Sequence, residues 1–252
     1  MTTTTALTAE RADLLETLAA HRHFLRYTVQ GLTDEQARLR PTASELTLGG
    51  LLKHVAHQEA GWVRFVLEGP EAIATPTDAA GFEKWADEFR LLPTETLAAH
   101  RHFLRVTVQG LTDEQARLRP TASELTLGGL LKHVAHQEAG WVRFVLEGPE
   151  VMATPTDAAG FERWTDEFRL LPTETLAAVL AEYEEIARRT DELVATIPDL
   201  DASHPLPEAP WFQPGAVRSA RRVFLHIVAE TAQHAGHADI LRESLDGQKT
   251  MG

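Results

Sequence analysis

The chain contains a near-exact copy of itself. Residues Glu16–Thr94 recur as Glu95–Thr173, a 79-residue repeat broken by five differences only: Tyr27/Val106, Ala72/Val151, Ile73/Met152, Lys84/Arg163 and Ala86/Thr165. Two segments this similar carry the same local propensities, so any fold for the chain has to accommodate each helix of the repeat twice. The string Glu-Thr-Leu-Ala-Ala stands at Glu16, Glu95 and Glu174. The first two are followed by His-Arg-His-Phe (from His21 and His100) and the third by Val179-Leu180-Ala181-Glu182. Recombination between the first and third strings of a 173-residue parent produces this arrangement. A parental first helix is then fused onto the lead-in of a third.

Within the repeat the apolar period is helical. Leu14, Leu18, His21 and Leu25 mark a first helix over about Thr8–Gln30, with Gly31 to end it, and its copy begins near Thr94. Thr33 and its twin Thr112 read as caps of a short helical turn. A second helix is expected over Thr47–Glu68 and again over Thr126–Glu147, where Leu127, Leu131, Val134, Trp141 and Val145 recur at helical spacing. A third spans Thr173–Ile197 and stops at Pro198, on a face without any metal-ligand residue. Asp199–Ala216 carries four prolines (Pro205, Pro207, Pro210, Pro214) and Trp211-Phe212, which predicts an irregular loop over a bundle end. A fourth helix covers about Ser219–Leu245. No segment shows the sustained alternation of a half-buried strand, so the fold class expected is all-α. Trp62, Trp141 and Trp211 are expected as core or bundle-end fillers.

Composition narrows function. A net charge of −13 without a basic block works against binding a phosphate backbone, so no nucleic acid partner is expected. No apolar run reaches membrane-spanning length and no leader is evident, so a cytoplasmic location is the expectation. The chain has no cysteine and twelve histidines, which leaves any metal to imidazole and carboxylate.

The fourth helix places Val223, Ile227, Glu230, His234, His237 and Leu241 on one stripe, an inward seam with a polar middle and neither Lys nor Arg. Buried ionisable groups are costly unless paired, and a divalent cation satisfies a carboxylate and imidazoles together. Glu230 and His234 are four residues apart and project to the same side. The third ligand is expected from the second helix: His133, at the edge of its apolar face, or its twin His54. Two histidines and a carboxylate leave positions open for water or a substrate thiol. Zinc is the expected metal, with nickel, manganese or iron as alternatives. His226 and His237 flank the trio as packing or outer partners. His21, His23 and His57, with their copies, read as surface or interface residues.

The string from His226 to Glu243, with Leu130-Leu131-Lys132-His133 and the Gly-Leu-Thr-Asp-Glu turn before it, resembles the DinB superfamily. More narrowly it looks like the mini-circle-type branch of DinB-like proteins, and with Glu230 in the first place of the last-helix pair it is similar to the mycothiol-dependent maleylpyruvate isomerases and mycothiol transferases. The resemblance implies an up-down four-helix bundle with an additional duplicated helical pair, and a metal-dependent transferase or isomerase. Its partners would be a low-molecular-weight thiol such as mycothiol and an electrophile. The division expected is a partial repeat over 1–94 and a complete bundle over 95–252. The alternative is a non-catalytic metal-binding or scaffold bundle. Because the unused helical pair has apolar faces to bury, a homo-oligomer, a domain-swapped assembly or an elongated monomer is expected.

Overall fold

A computed structural model describes residues 7–69, 93–152, 155, 157–209 and 212–249. Trp211, expected as a core or bundle-end filler, lies outside them. The chain divides into two compact units, one formed by residues 1–19 and 97–252 and the other by residues 20–96.

The larger unit is helical. Its elements are α4 (Pro93–Thr107, from Leu97 onward), the one-turn α5 (Asp113–Ala116), α6 (Leu127–Glu147), a 3-10 turn (Pro149–Met152), α7 (Ala158–Asp166), α8 (Leu176–Thr196) and α9 (Ala220–Asp246). Each long helix begins where a hydroxyl can replace the missing helical acceptor. Thr126 accepts from Gly129 N, Thr175 from Ala178 N and Ser219 from Arg222 N. Helix α9 ends at Gly247, whose φ of 81° a side chain would resist.

The apolar faces of these helices meet in two adjoining clusters. Leu104, Leu127, Leu130, Leu131, Val134, Leu176, Val179, Tyr183, Ala235, Ala238 and Leu241 form the main core, while Leu97, Trp141, Phe144, Val223 and Ile227 fill the other end. Trp141 is the filler its sequence position predicts.

The loop over Asp199–Ala216 corrects its sequence reading as irregular. Strands β1 (Ser203–Pro205) and β2 (Val217–Ser219) pair antiparallel, with His204 opposite Arg218. Proline is tolerated at the end of so short a strand, because it needs no ladder N–H there. Helix α7 lies in a stretch to which the sequence assigned no element.

The first part of α1 (Ala9–Thr28) belongs to this unit. Asp13 accepts a 2.5 Å hydrogen bond from the hydroxyl of Ser219, and Glu16 lies 3.3 Å from Nε of the buried Arg222, both at the start of α9.

The smaller unit holds the rest of α1, the one-turn α2 (Asp34–Ala37) and α3 (Leu48–Glu68), the last capped by Thr47. Its helices have the same caps as their copies, yet α3 buries none of its residues. Trp62, expected as a core or bundle-end filler, is 42% exposed. None of the described helices is long and apolar enough to cross a membrane.

Candidate metal centre

Helix α6 positions His133 because Leu130, Leu131 and Val134 commit their side of the helix to the core, which turns the neighbouring imidazole inward. On α9, Ile227 and Leu241 do the same for the seam carrying Glu230 and His234. One donor atom from each of His133, Glu230 and His234 lies within 4.8 Å of the other two. His54, the twin of His133, is exposed on the smaller unit.

His133 is 8% exposed and its ring stacks on Phe168, with centroids 4.5 Å apart and planes 24° from parallel. The segment carrying Phe168 is pinned from several sides. Lys132 Nζ donates to the carbonyl of Asp166 at 3.0 Å and to Glu174 Oε1 at 2.7 Å, and Arg117 donates to the carbonyls of Leu170 and Leu171. Gly129 allows the close approach, since a Cβ there would stand 2.1 Å from the carbonyl oxygen of Phe168.

Electrostatics prepare the same atoms. Burial, helped by the nearby His234, pushes His133 down to about 4, so it is neutral at pH 7, the form that ligates metal. Burial works to raise Glu230, but the hydrogen bond from His234 and the charges of His226, His234 and His133 outweigh it and hold the carboxyl below its ordinary range. His234 Nε2 is 3.5 Å from Glu230 Oε2, while its Nδ1 is 3.4 Å from His237 Nδ1. The two ring nitrogens of His234 therefore face different duties, one toward the trio and one toward a neighbour that fixes the ring.

The donor set fits a divalent cation on two counts. Zinc bonds of ~2.0–2.2 Å place adjacent donors roughly 3–3.5 Å apart, the separation His234 and Glu230 already have. His133 Nδ1 is buried without a hydrogen-bond partner among the described residues, an expense that proteins rarely leave uncompensated.

Two residues beside the trio, Phe168 and Arg218, escaped the sequence reading. Phe168 stacks on His133. Trp141 meets His226 edge to face at 4.9 Å, and His226 Nδ1 is 3.9 Å from Glu230 Oε1. Arg218 on β2 holds its guanidinium 4.7 Å above the Trp141 ring. Nothing in the periodicity of α9 announces Arg218, because it reaches the site from a strand.

A helical bundle of this kind belongs with the DinB-like superfamily. Within it the chain is matched by a family model described as Mycothiol-S-transferase, over residues 13–99 and again over 92–247. The chain belongs to the mycothiol S-transferase family, and the double match follows the internal repeat. No curated protein and no solved structure matches it.

Proposed function

We propose that the chain catalyses metal-dependent transfer of a low-molecular-weight thiol, mycothiol by family, onto an electrophile, with His133, Glu230 and His234 as the metal ligands. The observation that carries this reading is the convergence of a neutral buried imidazole, a carboxylate held ionised and a second imidazole fixed by His237. Held by these three residues, a divalent metal, zinc first among the candidates, would supply positive charge that favours the thiolate form of the thiol near neutral pH. The protein's own part is positional: Phe168 covers the His133 ring, and Glu230 holds a negative charge where a cation is wanted. In transfer to a saturated carbon a sulfur–carbon bond forms and the leaving group departs with its electron pair. On an activated double bond the thiol's proton goes to the adjacent carbon.

The test is metal analysis of the purified protein beside conjugation of mycothiol to monobromobimane. Wild type is expected to hold one metal per chain and to exceed the uncatalysed rate. His133→Ala, Glu230→Gln and His234→Ala are each expected to lose both properties, while His54→Ala keeps them. Full metal occupancy in all three trio variants would overturn the ligand assignment. Metal bound tightly without turnover across thiols and electrophiles would favour a non-catalytic bundle instead.

A further inference from the structure

Next to the trio stands a group of buried donors without acceptors. Arg218 Nε and Nη1 have no hydrogen-bond partner among the described residues, and neither has the indole Nε1 of Trp141 or Nη1 of Arg222. These groups can only donate, so the missing component is an acceptor. The guanidinium lies over Trp141 at 4.7 Å and over Phe212 at 5.6 Å, contacts that offset part of its desolvation but leave the Nε and Nη1 hydrogens unused. Burial, followed by repulsion from Arg222, brings Arg218 down to about 10, against the attraction of Glu16 and Glu230. It is therefore a cation at neutral pH whose charge no carboxylate among the described residues takes up in an ion pair. Leaving buried donors unmade is costly, and a charged one more so.

The position gives these donors a purpose. Trp141 links Arg218 to His226 and, through it, to Glu230. An anionic group resting against Arg218 and the indole N–H would place the rest of its molecule on the α9 face where Glu230 and His234 project. Guanidinium and carboxylate are matched in charge and hydrogen-bonding sense. We infer that Arg218 and Trp141 form a receiving site for a carboxylate on one of the two molecules that react at the trio. The inference rests on the reading of the trio as the reaction centre, and it adds a preference for carboxylate-bearing substrates.

The chain has no cysteine, so haloacetates react with the thiol substrate without alkylating a protein thiol. Rates are measured with mycothiol and either iodoacetate or its neutral amide, iodoacetamide. In both reactions a sulfur–carbon bond forms and iodide leaves. A second arm keeps iodoacetamide and compares 3-mercaptopropionate with 2-mercaptoethanol, which places the carboxylate on the thiol instead. Arg218→Gln is expected to lower kcat/KM at least tenfold for the carboxylate member of one arm and to leave its neutral partner within twofold. Trp141→Phe, which keeps the ring and removes the N–H, is expected to give a smaller loss of the same pattern. Equal losses on charged and neutral members of both arms would overturn the inference.

Calorimetric binding of benzoate against benzamide, with and without chelator, reads the site apart from turnover. Benzoate binding that survives chelation and disappears in Arg218→Gln supports the receiving site even if no thiol transfer is found. Benzoate binding that is unchanged in Arg218→Gln, or absent in wild type, sinks it. Arg218→Lys, which keeps the charge, is expected to retain benzoate binding at reduced affinity, and a helical circular dichroism spectrum like that of wild type excludes misfolding as the cause of any loss.

Discussion

Arg101 and Glu138 in the larger unit, and Arg22 and Glu59 in the smaller one, are the same pair in the two copies of the repeat. Both pairs form, and their surroundings differ completely. The side chains of Arg101 and Glu138 are 2% and 1% exposed, with Asp191 of α8 joining at 2.8 Å, whereas those of Arg22 and Glu59 are 44% and 38% exposed. His133 and His54 repeat the contrast, one enclosed by Phe168 and His234 and the other open to solvent. Local sequence thus gives two copies the same helices, caps and even the same ion pair. What a residue then does depends on the helices that cover it, and the chain has one α8 and one α9.

The largest expected effect comes from breaking the pair in each copy. Glu138→Ala leaves Arg101 buried against a mostly exposed Asp191 and is expected to cost about 3–5 kcal/mol in urea unfolding. Glu59→Ala faces water, and no measurable shift of the urea midpoint is expected. Equal losses would mean that both copies are covered and that the contrast is wrong.

Gly129→Ala comes next, at about 2–4 kcal/mol, because the new methyl group meets the Phe168 carbonyl and that backbone is held by Lys132 and Arg117. At Gly50 a Cβ would meet only the cap hydroxyl of Thr47, at 2.8 Å, among the described atoms outside its own helix backbone, so alanine there is expected to cost no more than the loss of that cap, about 1 kcal/mol.

A third prediction concerns pH. Folded His133 is harder to protonate than the unfolded residue, so the unfolded chain takes up its proton first and stability falls with falling pH. Metal-free protein is expected to lose up to about 3 kcal/mol between pH 6.5 and about 4 from this group. His133→Gln should flatten that part of the profile, and an unaltered slope would show that His133 is not enclosed.

The smallest effect sharpens the site itself. His237→Ala removes the neighbour of His234 Nδ1 and is expected to weaken metal affinity roughly 10-fold to 100-fold, about 1.4–2.7 kcal/mol, in chelator competition. His54→Ala in the same titration is expected to change nothing. A drop there would assign ligand duty to the first copy.

Much of this architecture was legible in the residues. The helical stripes predicted α1, α3, α6, α8 and α9 to within a few positions, and Thr47, Thr126 and Ser219 cap where hydroxyls preceded apolar runs. The partnership of Glu230 with His234 follows from a four-residue spacing on one helix. The β1–β2 ribbon was hidden because its pairing joins residues more than ten apart across a proline-rich loop. Phe168 and Arg218 were missed for a related reason, since each reaches the trio from outside the seam that drew attention to it.

The amino-acid order alone determined the helices, the repeat, the family and one half of the candidate site, because hydrogen bonds and side-chain periodicity within a helix are settled over a handful of neighbours. It was silent on which histidine faces Glu230, since His54 and His133 lie in identical surroundings for many residues on either side. Tertiary packing decided that, along with the burial of Arg101 and the exposed twin at Arg22. Burial depends on distant segments arriving on one face, and α8 and α9 cover α6 in the larger unit.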